Sequence, residues 1–312
     1  MLASSKWLFD TCYGKFAIGA INIWSMEQIL ALFSAGEKSA SPFIIQMTPA
    51  ARNYAHSRML SNMVKAAARI YPKAVFATHI DHGNEEHVLD AINSGDYTSV
   101  MIDASHDTFI NNISRTRKIV QTAHPKDIAV EAELGVLGGV EDNVSLEEDK
   151  RLYTRPEEVE TFVKETGCDS LAVAVGTSHG AYKFSGGQGI QFNILEEIQK
   201  RVPDFPLVLH GGSEVNLNEI DRINQAGGRI GISAKGVSTE EIQRSIHYGV
   251  CKINIATDAR ILWTRVHREF FKQSPERIDP IIPGRTYMEE LEKCIVQKFE
   301  MLGSSGKAYL FK

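Results

Sequence analysis

The chain has 312 residues, of which 43% are hydrophobic and 23% charged, the composition of an ordinary globular protein. Its formal net charge of −5 argues against a general nucleic-acid binder, and no apolar run reaches the roughly 18 residues that span a bilayer. The N-terminal sequence lacks the apolar core of a signal peptide, and the four cysteines are far apart with no CxxC spacing. We therefore expect a cytoplasmic protein with reduced cysteines.

Eight short β-rich runs alternate with segments of helical periodicity. The runs cover residues 16–23, 42–47, 74–81, 99–104, 129–135, 170–176, 206–212 and 252–258. Nearly continuous apolar strands separated by helices are typical of a parallel sheet covered on its faces. Eight such units in under about 300 residues favour an α/β fold of the (β/α)8 TIM-barrel type over the alternative, an open doubly wound sheet.

Two longer segments interrupt this alternation. Residues 135–156 are rich in glycine and acidic residues and are expected to form an irregular loop. Residues 213–242 are expected to hold two helices around a Gly-Gly excursion. We predict a single TIM-barrel domain over residues 1–312, with an inserted helical or loop segment at about 213–250 and C-terminal helices over 259–302.

Polar residues concentrate where the runs end. In chain order they are His79, Asp81, His82, Asp103, Glu131, Glu133, His179, His210, Asn254 and Thr257. In a barrel the carboxyl ends of all strands converge on one mouth, where catalysis occurs. Burying so many polar groups is costly unless they bind something. This pattern predicts an active site at that mouth.

Three of these residues form a candidate metal site. His82, His179 and His210 follow three different runs, and three neutral imidazoles around one open position are typical of catalytic zinc. The alternative for any single histidine is a structural role in a loop or the core. His79 shares a strand face with Asp81, so it could support a ligand or be one.

Carboxylates follow the same runs. Asp81 adjoins His82 and suits general acid/base catalysis. Asp103 and Glu133 could hold the metal ligands in place or offer a second cation position. For Glu141, in the Gly-rich segment, spacing alone favours a solvated loop carboxylate.

Candidate phosphate-binding residues lie at the ends of the seventh and eighth runs. Residues 211–213, which include two glycines, and residues 254–257 lie where barrels recurrently bind phosphate through backbone N–H groups.

Six motifs, within a region from about Gly14 to Arg285, resemble those of class II aldolases that act on fructose or tagatose 1,6-bisphosphate. They are HIDHG at 79–83, SVMIDASH at 99–106, VEAELGVLGGVED at 130–142, DSLAVAVGTSHGAYK at 169–183, PLVLHGGS at 206–213 and CKINIATD at 251–258. The segment before the eighth run resembles the branch of the family that is extended there.

The resemblance implies a zinc-dependent cleavage of a ketose 1,6-bisphosphate to dihydroxyacetone phosphate and glyceraldehyde 3-phosphate. His82, His179 and His210 would bind the zinc ion. Asp81 would exchange the proton of the 4-hydroxyl, and Glu141 would exchange the proton at C3.

The resemblance also implies the substrate contacts and the assembly. The residues implied are Asn22, Thr48, Gly180, Lys183, Gly211, Ser213, Asn254, Ala256, Thr257, Arg260 and Arg285. The 1-phosphate and a monovalent cation, Na⁺ or K⁺, would be lined by Gly180, Lys183, Gly211, Ser213, Asn254 and Thr257. Arg260 and Arg285 would hold the 6-phosphate, one of them from a neighbouring subunit of a homodimer or homotetramer.

The chain departs from the family pattern near the sugar. Ala256 stands where fructose-type enzymes usually carry Asp and tagatose-type enzymes usually carry Ala. Trp24-Ser25 replaces a usual Asn-Asn pair, Thr48 stands where Ser is usual, and Glu214 follows the HGGS motif. We therefore expect no strong preference for fructose over tagatose bisphosphate.

Four alternatives remain at this level. A Schiff-base aldolase needs a desolvated lysine at the carboxyl end of a strand. Lys252 lies at the opposite end, where its run begins, and Lys183 follows the motif that contains the proposed zinc ligand His179. A zinc hydrolase could use the same histidines to activate water. An aldolase for another 6-anionic ketose 1-phosphate, and a barrel that only binds, are the other two.

Overall fold

The computed structural model describes residues 1–136, 138–141, 144–146, 153–179, 189–231 and 236–311. For residues 138–141, 144–146 and 178–179 it describes the backbone alone. The strands are β1 (Ile18–Asn22), β2 (Pro42–Met47), β3 (Val75–Gly83), β4 (Ser99–Ile102), β5 (Ala129–Leu134), β6 (Gly138–Glu141), β7 (Val144–Leu146), β8 (Ser170–Val173), β9 (Ser178–His179), β10 (Leu207–Leu209) and β11 (Val250–Ile255).

Eight of these strands close into a parallel barrel in the order β1-β11-β10-β8-β5-β4-β3-β2. Closure is direct, because β1 pairs with β2 on one side and with β11 on the other. All eight predicted runs supply one barrel strand each. The predicted TIM barrel is confirmed, and the open doubly wound sheet is excluded.

Helices surround the barrel. They are α1 (Ser5–Cys12), α2 (Met26–Lys38), α3 (Pro49–Ala55), α4 (Ser57–Ile70), α5 (Glu85–Ser94), α6 (Phe109–Ala123), α7 (Pro156–Thr166), α8 (Phe192–Arg201), α9 (Leu217–Gln225), α10 (Thr239–Ile246), α11 (Thr257–Gln273) and α12 (Ile281–Met301). The segment before β11 therefore contains two helices, α9 and α10, as expected. In the described part of the chain no helix combines the length and the apolarity that crossing a membrane requires.

One expectation was wrong in part. The segment 135–156 was predicted to be irregular, but β6 and β7 form an antiparallel pair within it, and β6 also pairs with β9. The β-branched residues Val140, in β6, and Val144, in β7, favour extended backbone. The acidic and glycine-rich composition obscured this local preference.

The barrel interior has two layers. Side chains alternate along a strand, so residues two apart share a face. Toward the amino ends of the strands, Ile18, Ile44 and Ala77 pack with Leu8 and Phe9 of α1 in one buried apolar cluster. Toward the carboxyl ends the interior is polar, with buried Asn22, Gln46, His79, Asp81, Ser99, Glu131, Glu133, His210, Lys252 and Asn254. The polar layer forms the floor of the candidate site.

Candidate active site

The end of β3 presents two consecutive side chains to the same site. The register with β4 runs through Ile80↔Val100 and resumes at Gly83↔Ile102, so Asp81 and His82 together oppose one residue. His82 has φ +50°, an uncommon left-handed conformation for a residue with a side chain. Regular alternation would send two neighbours to opposite faces, but a bulge re-aims one of them. Local backbone strain of this kind often marks functional sites.

The imidazoles of His82 and His210 face each other. His82 Nε2 lies 2.9 Å from His210 Nδ1. The other nitrogen of each ring lies beside a carboxylate: His82 Nδ1 is 2.9 Å from Asp103 Oδ2, and His210 Nε2 is 3.2 Å from Glu131 Oε1. A carboxylate only accepts, so these outer nitrogens donate and both inner nitrogens present lone pairs.

In this arrangement both facing nitrogens can act as ligands of one ion. Carboxylates that orient histidine ligands from behind are a regular feature of zinc sites. Ligand atoms of Asp81, His82 and His210 lie within 4.8 Å of one another, as do those of His82, Asp103 and Glu133. The described residues thus fit a metal ion that accepts nitrogen ligands.

Asp103 supports His82 as a charged acceptor. Burial by itself would raise the pKa of this carboxyl group. The hydrogen bond donated by His82, with hydrogen bonds from Ser105, nevertheless holds the pKa of Asp103 well below its ordinary value. Glu133 lies farther from His82, with Oε2 at 3.9 Å from Nδ1.

Three amide side chains hold the fully buried carboxylate of Asp81. Asn22 Nδ2 and Gln46 Nε2 donate to Oδ2 at 2.8 and 3.2 Å. Asn254 Nδ2 donates to Oδ1 at 3.2 Å. Gln46 also donates to Asn22 Oδ1 at 2.7 Å, which fixes Asn22 in turn. The carboxylate is therefore oriented from β1, β2 and β11 beside the His82–His210 pair.

His79 lies in a polar network away from the facing nitrogens. Its Nδ1 is 2.8 Å from Ser99 Oγ, and its Nε2 is 3.3 Å from Lys252 Nζ. Burial, and then the nearby Lys252 ammonium, lower the pKa of His79 well below its ordinary value. Of the two roles left open by the sequence, this environment favours a supporting residue.

The loops after β10 and β11 are tied together. Gly211 has φ +67°, and the Gly212 N–H donates to the Asn254 carbonyl at 3.1 Å. The Ser213 hydroxyl accepts from the N–H groups of Ala256 and Thr257 at 3.0 and 3.1 Å. The predicted phosphate-binding residues of both loops are thereby brought to the start of α11.

A pocket of about 330 Å³ opens at Asn22. Its walls include Asn22, Trp24, Thr48 and Arg260, with Tyr54 exposed at the rim. The Arg260 guanidinium carbon lies 5.6 Å from the centroid of the Trp24 ring. Asn22, which donates to Asp81, thus lines the same pocket as Arg260.

Arg285 is not brought into this pocket. It is exposed on α12, where the neighbouring Gly284 packs beside Glu27 in the first turn of α2. The pocket at Asn22 is therefore lined by Arg260 and not by Arg285.

The structure leaves four predicted residues undecided. His179 and Glu141 lie in the adjacent strands β9 and β6, with Gly139 paired to His179, but their side chains are not described. Gly180 and Lys183 lie outside the described residues.

Sequence reasoning missed the roles of three residues. Gln46 was not singled out, Glu131 was noted without a function, and Lys252 was considered only as a Schiff-base lysine. Gln46 interrupts the apolar run at 42–47, Lys252 lies between the apolar residues Cys251 and Ile253, and both are fully buried. That interruption was the available signal.

Comparisons with known proteins identify the family of the chain. A sequence profile of class II fructose-bisphosphate aldolase matches residues 4–307. The chain is 41% identical over 297 residues to the fructose-bisphosphate aldolase of Thermus caldophilus, covering 94% of this chain and 95% of that protein. It is 38% identical over 331 aligned residues to the fructose-bisphosphate aldolase of Treponema pallidum (strain Nichols), covering 98% of each.

A solved structure extends this likeness to the fold. The YdjI aldolase from Escherichia coli K12 superposes with a TM-score of 0.77 at 28% identity, covering 99% of this chain and 100% of that one. The resemblance found in the motifs is confirmed. The chain belongs to the class II fructose-bisphosphate aldolase family and is therefore an aldolase, a carbon–carbon lyase.

Proposed function

We propose that this protein is a zinc-dependent aldolase that reversibly cleaves a ketose 1,6-bisphosphate, fructose or tagatose, to dihydroxyacetone phosphate and glyceraldehyde 3-phosphate. One observation carries the proposal: a carboxylate held by three amides lies beside two facing imidazoles. Retro-aldol cleavage needs a base for the 4-hydroxyl next to a centre that accepts negative charge.

Zinc suits the donor set of this site. His82 and His210 would hold the ion through their facing nitrogens, with His179 as the third ligand expected from the family motif. When bound, zinc supplies Lewis acidity that polarises the ketose carbonyl and offsets the negative charge formed on cleavage. Asp103 and Glu131 would fix the ring orientations from behind.

The protein side chains account for the proton movements. Asp81 takes the proton of the 4-hydroxyl, the C4–O bond becomes a carbonyl, and the C3–C4 bond breaks. The electron pair of that bond remains on the fragment that becomes dihydroxyacetone phosphate. Glu141, on the segment beside His179, returns a proton to C3. In the condensation direction Asp81 gives its proton back to the 4-oxygen.

The substrate would lie across the mouth of the barrel. Gly211, Ser213, Asn254 and Thr257, with Gly180 and Lys183, would bind the 1-phosphate and a monovalent cation. Arg260 would bind the 6-phosphate at the far end of the pocket that begins at Asn22. Thr48 and Trp24 would form the walls beside the C5–C6 part of the sugar.

Assembly and location remain proposals. Arg285 is exposed and separate from Arg260, which is consistent with a contribution to the site of a neighbouring subunit in a homodimer or homotetramer. We propose a cytoplasmic location, in which the four free cysteines would stay reduced.

One alternative substrate has specific support. The Trp24 ring lies beside Arg260. It gives the pocket a larger and more apolar wall than the Asn-Asn pair that the family usually has at Trp24-Ser25. An aldolase for another 6-anionic ketose 1-phosphate would fit the same site. Family membership leaves little support for the zinc hydrolase and for a barrel that only binds.

The test is an activity panel with measured metal content. Fructose 1,6-bisphosphate, tagatose 1,6-bisphosphate and other 6-anionic ketose 1-phosphates are supplied to the purified enzyme, and triose phosphate release is followed. We expect release from one or both bisphosphates, loss on chelation and recovery with Zn²⁺. Activity that persists in a metal-free, chelator-treated enzyme would contradict the proposal.

A further inference from the structure

A lysine ammonium lies in the barrel interior beneath the site. Lys252, in β11, is fully buried. Its Nζ donates to both oxygens of Glu131, at 3.0 and 2.8 Å, and lies 3.3 Å from His79 Nε2. None of the roles derived above uses this residue.

The polar surroundings alone do not explain a charge here. On its face of β11, Lys252 lies between the buried neutral side chains of Val250 and Asn254. Removing two charges from water costs several kcal/mol per ion, and an apolar replacement of a buried ion pair is often neutral or stabilising. A buried lysine at this position is better explained by its partner Glu131, which also contacts His210.

The partner contacts a metal-ligand candidate. The same Glu131 oxygen that accepts from Lys252 at 3.0 Å lies 3.2 Å from His210 Nε2. Lys252, Glu131 and His210 thus form a continuous buried chain from β11 through β5 to the end of β10. His79, held by Ser99 at 2.8 Å, borders the ammonium on another side.

We infer that Lys252 is a positioning residue for the metal centre: it fixes Glu131 through both oxygens, so that Glu131 accepts the Nε2–H of His210 and leaves His210 Nδ1 for the ion. The hydrogen bond at one ring nitrogen selects the tautomer and so the nitrogen that binds metal. This inference rests on the proposed metal-dependent function.

The first experiment measures zinc affinity without relying on activity. Full-length wild type and Lys252→Met are stripped of metal and titrated with Zn²⁺ against a competing chelator. We expect the variant to bind zinc roughly 10–100-fold more weakly, the range typical for loss of an outer-sphere partner. Lys298→Met is the matched control, because Lys298 is also buried but pairs with Glu214 and Asp258 instead. We expect it to retain wild-type zinc affinity.

A double-mutant cycle shows whether Lys252 acts through Glu131. In the Glu131→Gln background, Lys252→Met should have little further effect on zinc affinity, since coupled residues are not additive. Ring ¹⁵N shifts of zinc-loaded protein, assigned with His210→Asn, should show a changed His210 tautomer population in Lys252→Met. Lys252→Gln, which keeps a donor, provides the same readouts if the methionine variant does not fold.

The outcomes separate the two proposals. Failure of wild type to bind zinc would defeat the proposed function, and the inference with it. Zinc binding by wild type with unchanged affinity and ring shifts in the Lys252 variants would overturn the inference alone. Equal weakening in Lys298→Met, or full additivity with Glu131→Gln, would also overturn it by indicating a general loss of stability.

Discussion

The Asp81 carboxylate is held by neutral donors only, as far as the described contacts go. Amide donors fix its direction without placing a cation on the group that must accept and return a proton. Side-chain amides on three strands can converge on one carboxylate only where those strands end together. The geometry therefore supports a proton carrier more than a structural ion pair.

Substitution of Asp81 tests this role. Asp81→Ala should reduce turnover roughly 10²–10⁴-fold while zinc remains bound, because the proton carrier is lost but the imidazoles remain. Turnover and metal content are measured on the same preparation. The isosteric Asp81→Asn controls for the lost hydrogen bonds. Near-normal turnover with full metal in either variant would show that Asp81 is not the base.

Ala256 tests the choice of sugar. It directly precedes α11 and its side chain offers no cap to that helix. We expect Ala256→Asp to shift the kcat/KM ratio of the two bisphosphates toward fructose, because a buried carboxylate discriminates between hydroxyl epimers. A gain in helix capping, about 1 kcal/mol, would appear in thermal stability instead. A large wild-type preference for fructose that the substitution leaves unchanged would contradict this expectation.

At the level of elements, the site depends on close approach between β10 and β11. Gly212 follows His210 by two residues and donates to the Asn254 carbonyl. A Cβ atom at Gly212 would lie 2.3 Å from Ile253 Cγ2 and 3.1 Å from Asn254 O. Only glycine lets the two strand ends approach this closely.

Gly212→Ala should therefore separate the loop of His210 and Ser213 from β11. Overpacking of this kind typically costs roughly 1–3 kcal/mol. We expect the free energy of unfolding to fall by that amount and zinc affinity to weaken, as measured by denaturant titration and chelator competition. Gly231→Ala is the control, because a Cβ there meets nothing within 4 Å in the described chain. Equal losses of unfolding free energy and zinc affinity in the two variants would show that the close approach of Gly212 to β11 is not the cause.

At the scale of the molecule, the candidate ligands join distant parts of the chain. His82 and His210 are 128 residues apart in sequence, and their carboxylate partners come from two further strands or strand ends. An ion bound only in the folded state stabilises it by mass action. Metal binding should thus raise the stability of the whole barrel.

Chelation should lower the melting temperature. At free zinc ~100 times the dissociation constant, the ion stabilises the fold by about 2.7 kcal/mol. For a domain of this size that corresponds to roughly 4 °C. Melting is followed by circular dichroism with chelator and with added Zn²⁺, and His210→Ala should lose most of the difference. No shift in wild type would indicate that zinc does not bind tightly to the folded chain.

The sequence by itself determined the barrel and the chemistry of its mouth. Periodicity depends on local propensity and burial, so eight apolar runs were visible as eight strands, and residues such as His82 and His210 could be assigned to one end. The motifs then identified the family, although the β6–β7 pair was hidden by its composition.

Only the tertiary structure decided which polar groups meet. The β3 bulge, the paths from Asp103 to His82 and from Lys252 through Glu131 to His210, and the amides around Asp81 all join separate strands. Their partners are set by barrel register and closure, which act between residues far apart in sequence. A single sequence contains no direct record of such distances, and this is the physical reason that these contacts could not be predicted.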